Sequence, residues 1–194
     1  MMNREQAIQH VNSSLEEGAE LRKIVARDWG TGIVEAAFLI SKCLQIGGKV
    51  LFFGNGGSAA DAQHLAAEFV GRFVRERRGL PAIALTTDSS ILTAVGNDYG
   101  FDQIFARQIQ ALARPGDVAV AISTSGNSPN VLEGVRAVRK ANGKTIGLSG
   151  KDGGALAKEA DLAITIASSN TARIQECHIA IGHLLCELID EGSE

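Results

Sequence analysis

The stretch 49–68, KVLFFGNGGSAADAQHLAAE, constrains the fold more than any other. Residues 50–54 have strand-like content and run into a glycine-rich corner, and Ser58 then opens an amphipathic helix. Gly54, Gly56 and Gly57 permit positive φ and a close ligand approach, while Asn55 and Ser58 add side-chain donors. Strand end, tight turn and helix start therefore meet at one point, where orphan N–H groups and the helix dipole favour an anion. His64 and Glu68, at i and i+4, share one helix face beyond that corner.

Downstream, apolar runs at 82–86, 118–123, 145–149 and 162–166 alternate with helical segments near 89–95, 101–113, 130–141 and 155–159. A last helix is predicted over 171–190. Continuous apolar runs suit strands buried on both faces, and the alternation implies right-handed βαβ crossovers. The fold class is α/β, with a largely parallel five-stranded sheet flanked by helices. Upstream, helical spacing predicts one helix over 3–28, a break at Trp29-Gly30-Thr31-Gly32 and a second helix over 33–46. Two helices before the first strand exceed what a minimal sheet domain needs, so 1–47 is taken as a helical oligomerisation segment of a single domain, 1–194.

A hydrophobic content of 45% over 194 residues supports one buried core. A net charge of −3 argues against a nucleic-acid or membrane-surface partner and leaves a small molecule. No apolar run approaches the roughly 20 residues that span a bilayer. Three cysteines without metal-site spacing, and no apolar leader after the first methionines, suggest a reduced, cytoplasmic setting.

A second polar cluster, Ser123-Thr124-Ser125-Gly126-Asn127-Ser128-Pro129-Asn130, follows the 118–122 run. Ser128-Pro129 marks a helix start, so hydroxyls and amides converge where the dipole is positive and a phosphate dianion fits. The segment lacks the GxxxxGK[ST] pattern of nucleoside triphosphate sites. Residues 54–59 also match the loose dinucleotide pattern GxGxxA, but no acid ends the second strand at the usual distance, so no nucleotide cofactor is expected.

His64 and Glu68 read either as a polar surface pair or as general base and metal ligand beside the corner. In the last helix, Gln175 and His183 stand out among apolar neighbours. Eight residues separate them, about 12 Å along the axis and about 80° around it. If both serve one site, a neighbouring chain is expected to supply one of them. Asn97-Asp98, placed in a loop after the helix predicted near 89–95, reads as an Asx turn or as a hydroxyl-recognition pair. Arg75, Arg77 and Arg78 read as a solvated loop without chemistry.

Taken in order, Gly54-Asn55-Gly56-Gly57-Ser58, Asp61-Ala62-Gln63-His64, Leu85-Thr86-Thr87-Asp88, Gly96-Asn97-Asp98-Tyr99-Gly100, Ser123 to Ser128 and Arg173-Ile174-Gln175-Glu176 resemble the phosphoheptose isomerase family. The likeness spans nearly the whole chain and implies the sugar isomerase (SIS) fold, a flavodoxin-like sandwich. It further implies a homotetramer with active sites between subunits, converting sedoheptulose 7-phosphate to D-glycero-D-manno-heptose 7-phosphate for surface glycans. By position, Asn55, Gly56 and Gly57 line the sugar site; Ser123, Thr124, Ser125 and Ser128 hold phosphate; Asn97, Asp98 and Gln175 contact substrate. Glu68 and His183 correspond to the proton-transfer pair, and His64, Glu68, Gln175 and His183 to zinc ligands. A contrasting expectation is a non-catalytic SIS tetramer that senses phosphosugars or binds a protein such as a replication initiator, which would not need both Glu68 and His183.

Overall fold

The computed structural model describes residues 2–192. Strands β1 (Val50–Gly54), β2 (Ala82–Ala84), β3 (Val118–Ser123), β4 (Lys144–Gly150) and β5 (Leu162–Ile166) form one parallel sheet in the order β2-β1-β3-β4-β5. Around it lie α1 (Arg4–Gln45), α2 (Gly57–Val70), α3 (Ser89–Tyr99), α4 (Ile104–Leu112), α5 (Pro129–Lys140), α6 (Leu156–Glu159) and α7 (Thr171–Glu191). Every residue of β1 and β3 is buried, as central strands covered on both faces require. Their side chains alternate between two cores. Val50 and Phe52 join the core built with α1, α2 and α7, while Leu51 and Phe53 join the one built with α4, α5 and α6.

The connection from β1 to β2 travels in one direction along the sheet, and those from β3 to β4 and β5 travel in the other. Right-handed crossovers then put α2 and α5 on opposite faces. This reversal opens a crevice between the carboxyl ends of β1 and β3, where ligands bind in such sheets. Gly54 pairs with Ile122 there, so the glycine corner and the serine loop leave the sheet side by side. Each strand hands the chain to a helix at its carboxyl end, which gathers the amino ends of α2, α3, α5, α6 and α7 along that edge.

Several boundaries differ from the sequence reading, three of them with consequences for the site or its support. The break expected at residues 29–32 is absent, and α1 is one helix of 42 residues. Leu21, Val25, Trp29, Ile33, Ala37 and Ile40 keep a single face on the core across both glycines. Two helical glycines cost about 2 kcal/mol, whereas burying one large apolar side chain returns about 1.5–3 kcal/mol. β2 stops at Ala84 because Thr86 turns toward α2: its hydroxyl donates to the Ala59 carbonyl and its own carbonyl accepts from Gln63, both at 3.2 Å. Helix α3, capped by the Asp88 carboxylate on the Ile91 N–H, runs to Tyr99, so Asn97 and Asp98 lie in its last turn rather than in a loop. No helix among the described residues is long and apolar enough to cross a membrane.

Candidate active site

Helix α7 runs beside α2 in the same direction, and the seam between them carries His64, Glu68 and His183. Two glycines allow the approach. A Cβ on Gly182 would lie 2.5 Å from a Leu65 methyl, and one on Gly57 would collide with the Gln175 amide. Gln175 thus rests against the glycine corner and beside Asp61, while His183 Nε2 stands 2.9 Å from His64 Nε2. Glu68 Oε1 lies 3.6 Å from that same His64 nitrogen. Phe73, on the segment after α2, packs its ring 5.3 Å from the His183 ring.

All these contacts fall within one chain, contrary to the expectation that Gln175 and His183 would need two. The helical arithmetic was correct, but α2 spans the same distance in parallel. Gln175 meets its amino end and His183 meets its middle, so neither side chain has to stretch.

Asp61 was missed by sequence reasoning. It is buried, and its Oδ2 has no hydrogen-bond partner. Burial lifts its carboxyl above the usual range, against the opposing pull of the Gln175 amide and of the His64 and His183 charges. The available signal was its place one turn before His64 on the same helix face.

Gly56 precedes α2 with no side-chain cap, leaving the helix amino end open to a ligand. Across the crevice, Ser123 Oγ lies 3.0 Å from Ser128 Oγ and 3.3 Å from Ser125 Oγ. Ser128 does occupy the cap position of α5, yet its hydroxyl turns to Ser123 instead of capping the helix. Three hydroxyls are thereby clustered beside the amino end of α5. Asn55 and the buried Asn130 tie the two loops together through a reciprocal pair of hydrogen bonds between their side-chain amides, each 2.8 Å. A cavity of about 160 Å³ opens at the corner, bounded by Asn55, Gly56, Thr86, Leu92 and Phe101. A larger one, about 460 Å³, lies between α1, residues 76–80 and the end of α7, and no candidate site residue lines it.

Asn97 donates to Asp98 at 2.8 Å, and both are exposed at the end of α3. No described bond joins them to the corner or the seam. The arginine loop is not uniformly solvated. The Arg77 side chain is largely withdrawn from solvent, pairs with Asp190 at 2.5 Å, and donates to the carbonyls of Glu68 at 3.0 Å and Phe69 at 2.9 Å. Asp190 Oδ2 accepts from the Val74 and Arg75 N–H groups as well. Nothing in the spacing of three arginines marks one as interior; its partner lies 113 residues away.

Two imidazoles, a carboxylate and an amide are donors of a kind that zinc accepts. The buried Asp61 carboxyl, whose Oδ2 has no hydrogen-bond partner, lies beside them. Nitrogens on a tetrahedral zinc would stand about 3.3 Å apart at ordinary Zn–N lengths, so the 2.9 Å histidine pair must open by a few tenths of an ångström. Among the described residues no three His, Cys, Asp or Glu side chains are already grouped to hold an ion. The residues fit zinc in kind, with that adjustment.

The family model for the SIS domain matches residues 15–150. The phosphoheptose isomerase of Aquifex aeolicus is 53% identical over 184 residues, covering 95% of this chain and 96% of its own. That of Solidesulfovibrio magneticus is 56% identical over 186 residues, covering 96% and 91%. The solved structure of phosphoheptose isomerase from Neisseria gonorrhoeae superposes with a TM-score of 0.91 at 45% identity, covering 95% of this chain and 99% of that one. With the parallel sheet, the open crevice and the α2–α7 seam in place, the chain belongs to the SIS-domain family of phosphoheptose isomerases.

Proposed function

We propose that this enzyme interconverts sedoheptulose 7-phosphate and D-glycero-D-manno-heptose 7-phosphate through an enediol, as the first step toward nucleotide-activated heptose for surface glycans. The observation that carries the reading is the meeting of Glu68 and His183 at His64, beside the glycine corner. An aldose–ketose exchange moves one proton between adjacent carbons and others on the oxygens. Glu68 takes the proton from the carbon next to the carbonyl and returns it to the neighbouring carbon. His183 moves protons on the hydroxyl and carbonyl oxygens. The open amino end of α2, with Asn55, Gly56 and Gly57, faces the developing oxyanion. Ser123, Thr124, Ser125 and Ser128 hold the phosphate, whose binding energy positions the reacting end. Asn97 and Asp98 are assigned to the substrate hydroxyls.

His64, Glu68, Gln175 and His183 would hold a zinc ion. When bound, it would act as a Lewis acid on the carbonyl oxygen. Assembly into a cytoplasmic homotetramer with subunit contacts beside the sites is supported by α1. None of its first fourteen residues is buried, and Val11, Leu15 and Phe38 are exposed. A purely sensing or partner-binding SIS protein has no need of the Glu68–His183 pair, and that alternative is not favoured.

Incubation with sedoheptulose 7-phosphate, followed by NMR, should show the aldose appearing. Glu68→Gln should abolish turnover while phosphosugar binding persists; full activity in that variant removes Glu68 from the mechanism.

A further inference from the structure

We propose that Asn130 is a positioning residue for this reaction, locking the Asn55 amide and fixing the distance between the phosphate-binding loop and the sugar-binding corner. The inference rests on the function proposed above and adds a residue to it.

Asn130, the second residue of α5, is 1% exposed and sits among Val131, Gly134, Val135, Ala137 and Val138 on the buried face of that helix. An aliphatic side chain would pack there without the desolvation cost of an amide. The amide is met on one edge by Asn55: each Nδ2 donates to the other's Oδ1 at 2.8 Å. An unpaired asparagine turns broadly about χ2. A two-point pairing removes that freedom, because turning either amide alone would set N–H against N–H and oxygen against oxygen. One N–H and one lone pair of Asn55 remain for a ligand, now in fixed places.

The pair is also the side-chain bridge across the crevice. Asn55 leaves β1 next to Gly54, Asn130 follows the serine loop that leaves β3, and the two strands are adjacent in the sheet. A substrate gripped by phosphate at one loop and reacting at the other depends on their separation, and a displacement of about 1 Å costs on the order of 10²-fold in rate.

The test is a double-mutant cycle of Asn55→Ala and Asn130→Ala, with Asn130→Asp as a near-isosteric companion that can accept from Asn55 but, ionised, cannot donate to it. For each protein kcat/KM on sedoheptulose 7-phosphate is measured, together with the Kd for inorganic phosphate by calorimetry. We expect each single variant to lose on the order of 10²-fold in kcat/KM, with phosphate affinity changed by less than about twofold, and the double variant to be no more than about threefold worse than either single. Should Asn130→Ala fail to fold, Asn130→Asp and the side-chain amide exchange of the wild type carry the test, one Asn55 amide proton being protected and the other free. Multiplicative losses, unimpaired Asn130 variants, a parallel collapse of phosphate affinity, or two freely exchanging Asn55 protons would each overturn the assignment. Wild-type protein that does not convert the heptulose overturns the proposed reaction and this role with it; additive losses in an active enzyme overturn this role alone.

Discussion

Replacing Arg77 with alanine removes the clasp that fastens the segment after α2 to the end of α7. The guanidinium bonds to Asp190 and to the carbonyls of Glu68 and Phe69, and both partners of the ion pair are nearly inaccessible, at 8% and 2% side-chain exposure. Truncation leaves the Asp190 carboxylate interior with only the Val74 and Arg75 N–H groups as donors. Removing one member of a buried pair costs about 3–5 kcal/mol. At a urea m-value of about 2 kcal/mol/M, the unfolding midpoint should fall by about 2 M. The assay is a urea titration followed by far-UV circular dichroism at fixed protomer concentration, since assembly contributes to apparent stability. Arg77→Met with Asp190→Leu should recover most of the loss, because no charge is then stranded. A midpoint shift under about 0.5 M for the single variant would refute the reasoning. The clasp also has a pH signature. Burial alone would raise the Asp190 carboxyl, but the Val74 N–H, Arg77 and the Arg75 N–H together hold it below its ordinary value. Its contribution is therefore complete above the unfolded pKa near 3.9 and disappears as pH falls through the lower folded value.

Three further outcomes are expected. Burial pushes the His178 imidazole down to about 4, against its bond to the Ser149 carbonyl, so the folded form binds fewer protons than the unfolded one below about pH 6.5. Stability should decline by roughly 3 kcal/mol between pH 6.5 and 4, and His178→Gln should flatten that slope in urea titrations; an unchanged slope contradicts the burial argument. Gly57→Ala drives a methyl into the Gln175 amide and should lower kcat/KM on the order of 10²-fold, while full activity would show that Gln175 need not rest on the corner. Dialysis against a chelator should abolish turnover, added zinc should restore it, and indifference to both would exclude a catalytic metal.

The sheet was legible because its strands are continuous apolar runs bounded by polar clusters. β1, β3 and β5 were delimited to the residue, and the two loops at the crevice carry their chemistry in consecutive positions. What stayed hidden depends on packing between distant segments. The break expected at residues 29–32 was a local propensity overruled by the Trp29 and Ile33 contacts. Arg77, Asp61 and Asn130 look like ordinary polar residues until their partners, from 75 to 114 positions away, are folded against them. The relation between Gln175 and His183 was misjudged because spacing on one helix carries no knowledge of the helix beside it.

The amino ends of α2 and α5, neither closed by a side-chain cap, give an acidic protein a local attraction for a dianion at the crevice. Partial charges on peptide groups fade within a helical turn, unlike the long reach of clustered lysines. Such a rim holds what has already arrived and does little to guide it from afar. Capture by this crevice should therefore be slow to respond to ionic strength, leaving residence in the site, rather than the frequency of encounter, as the quantity the fold governs.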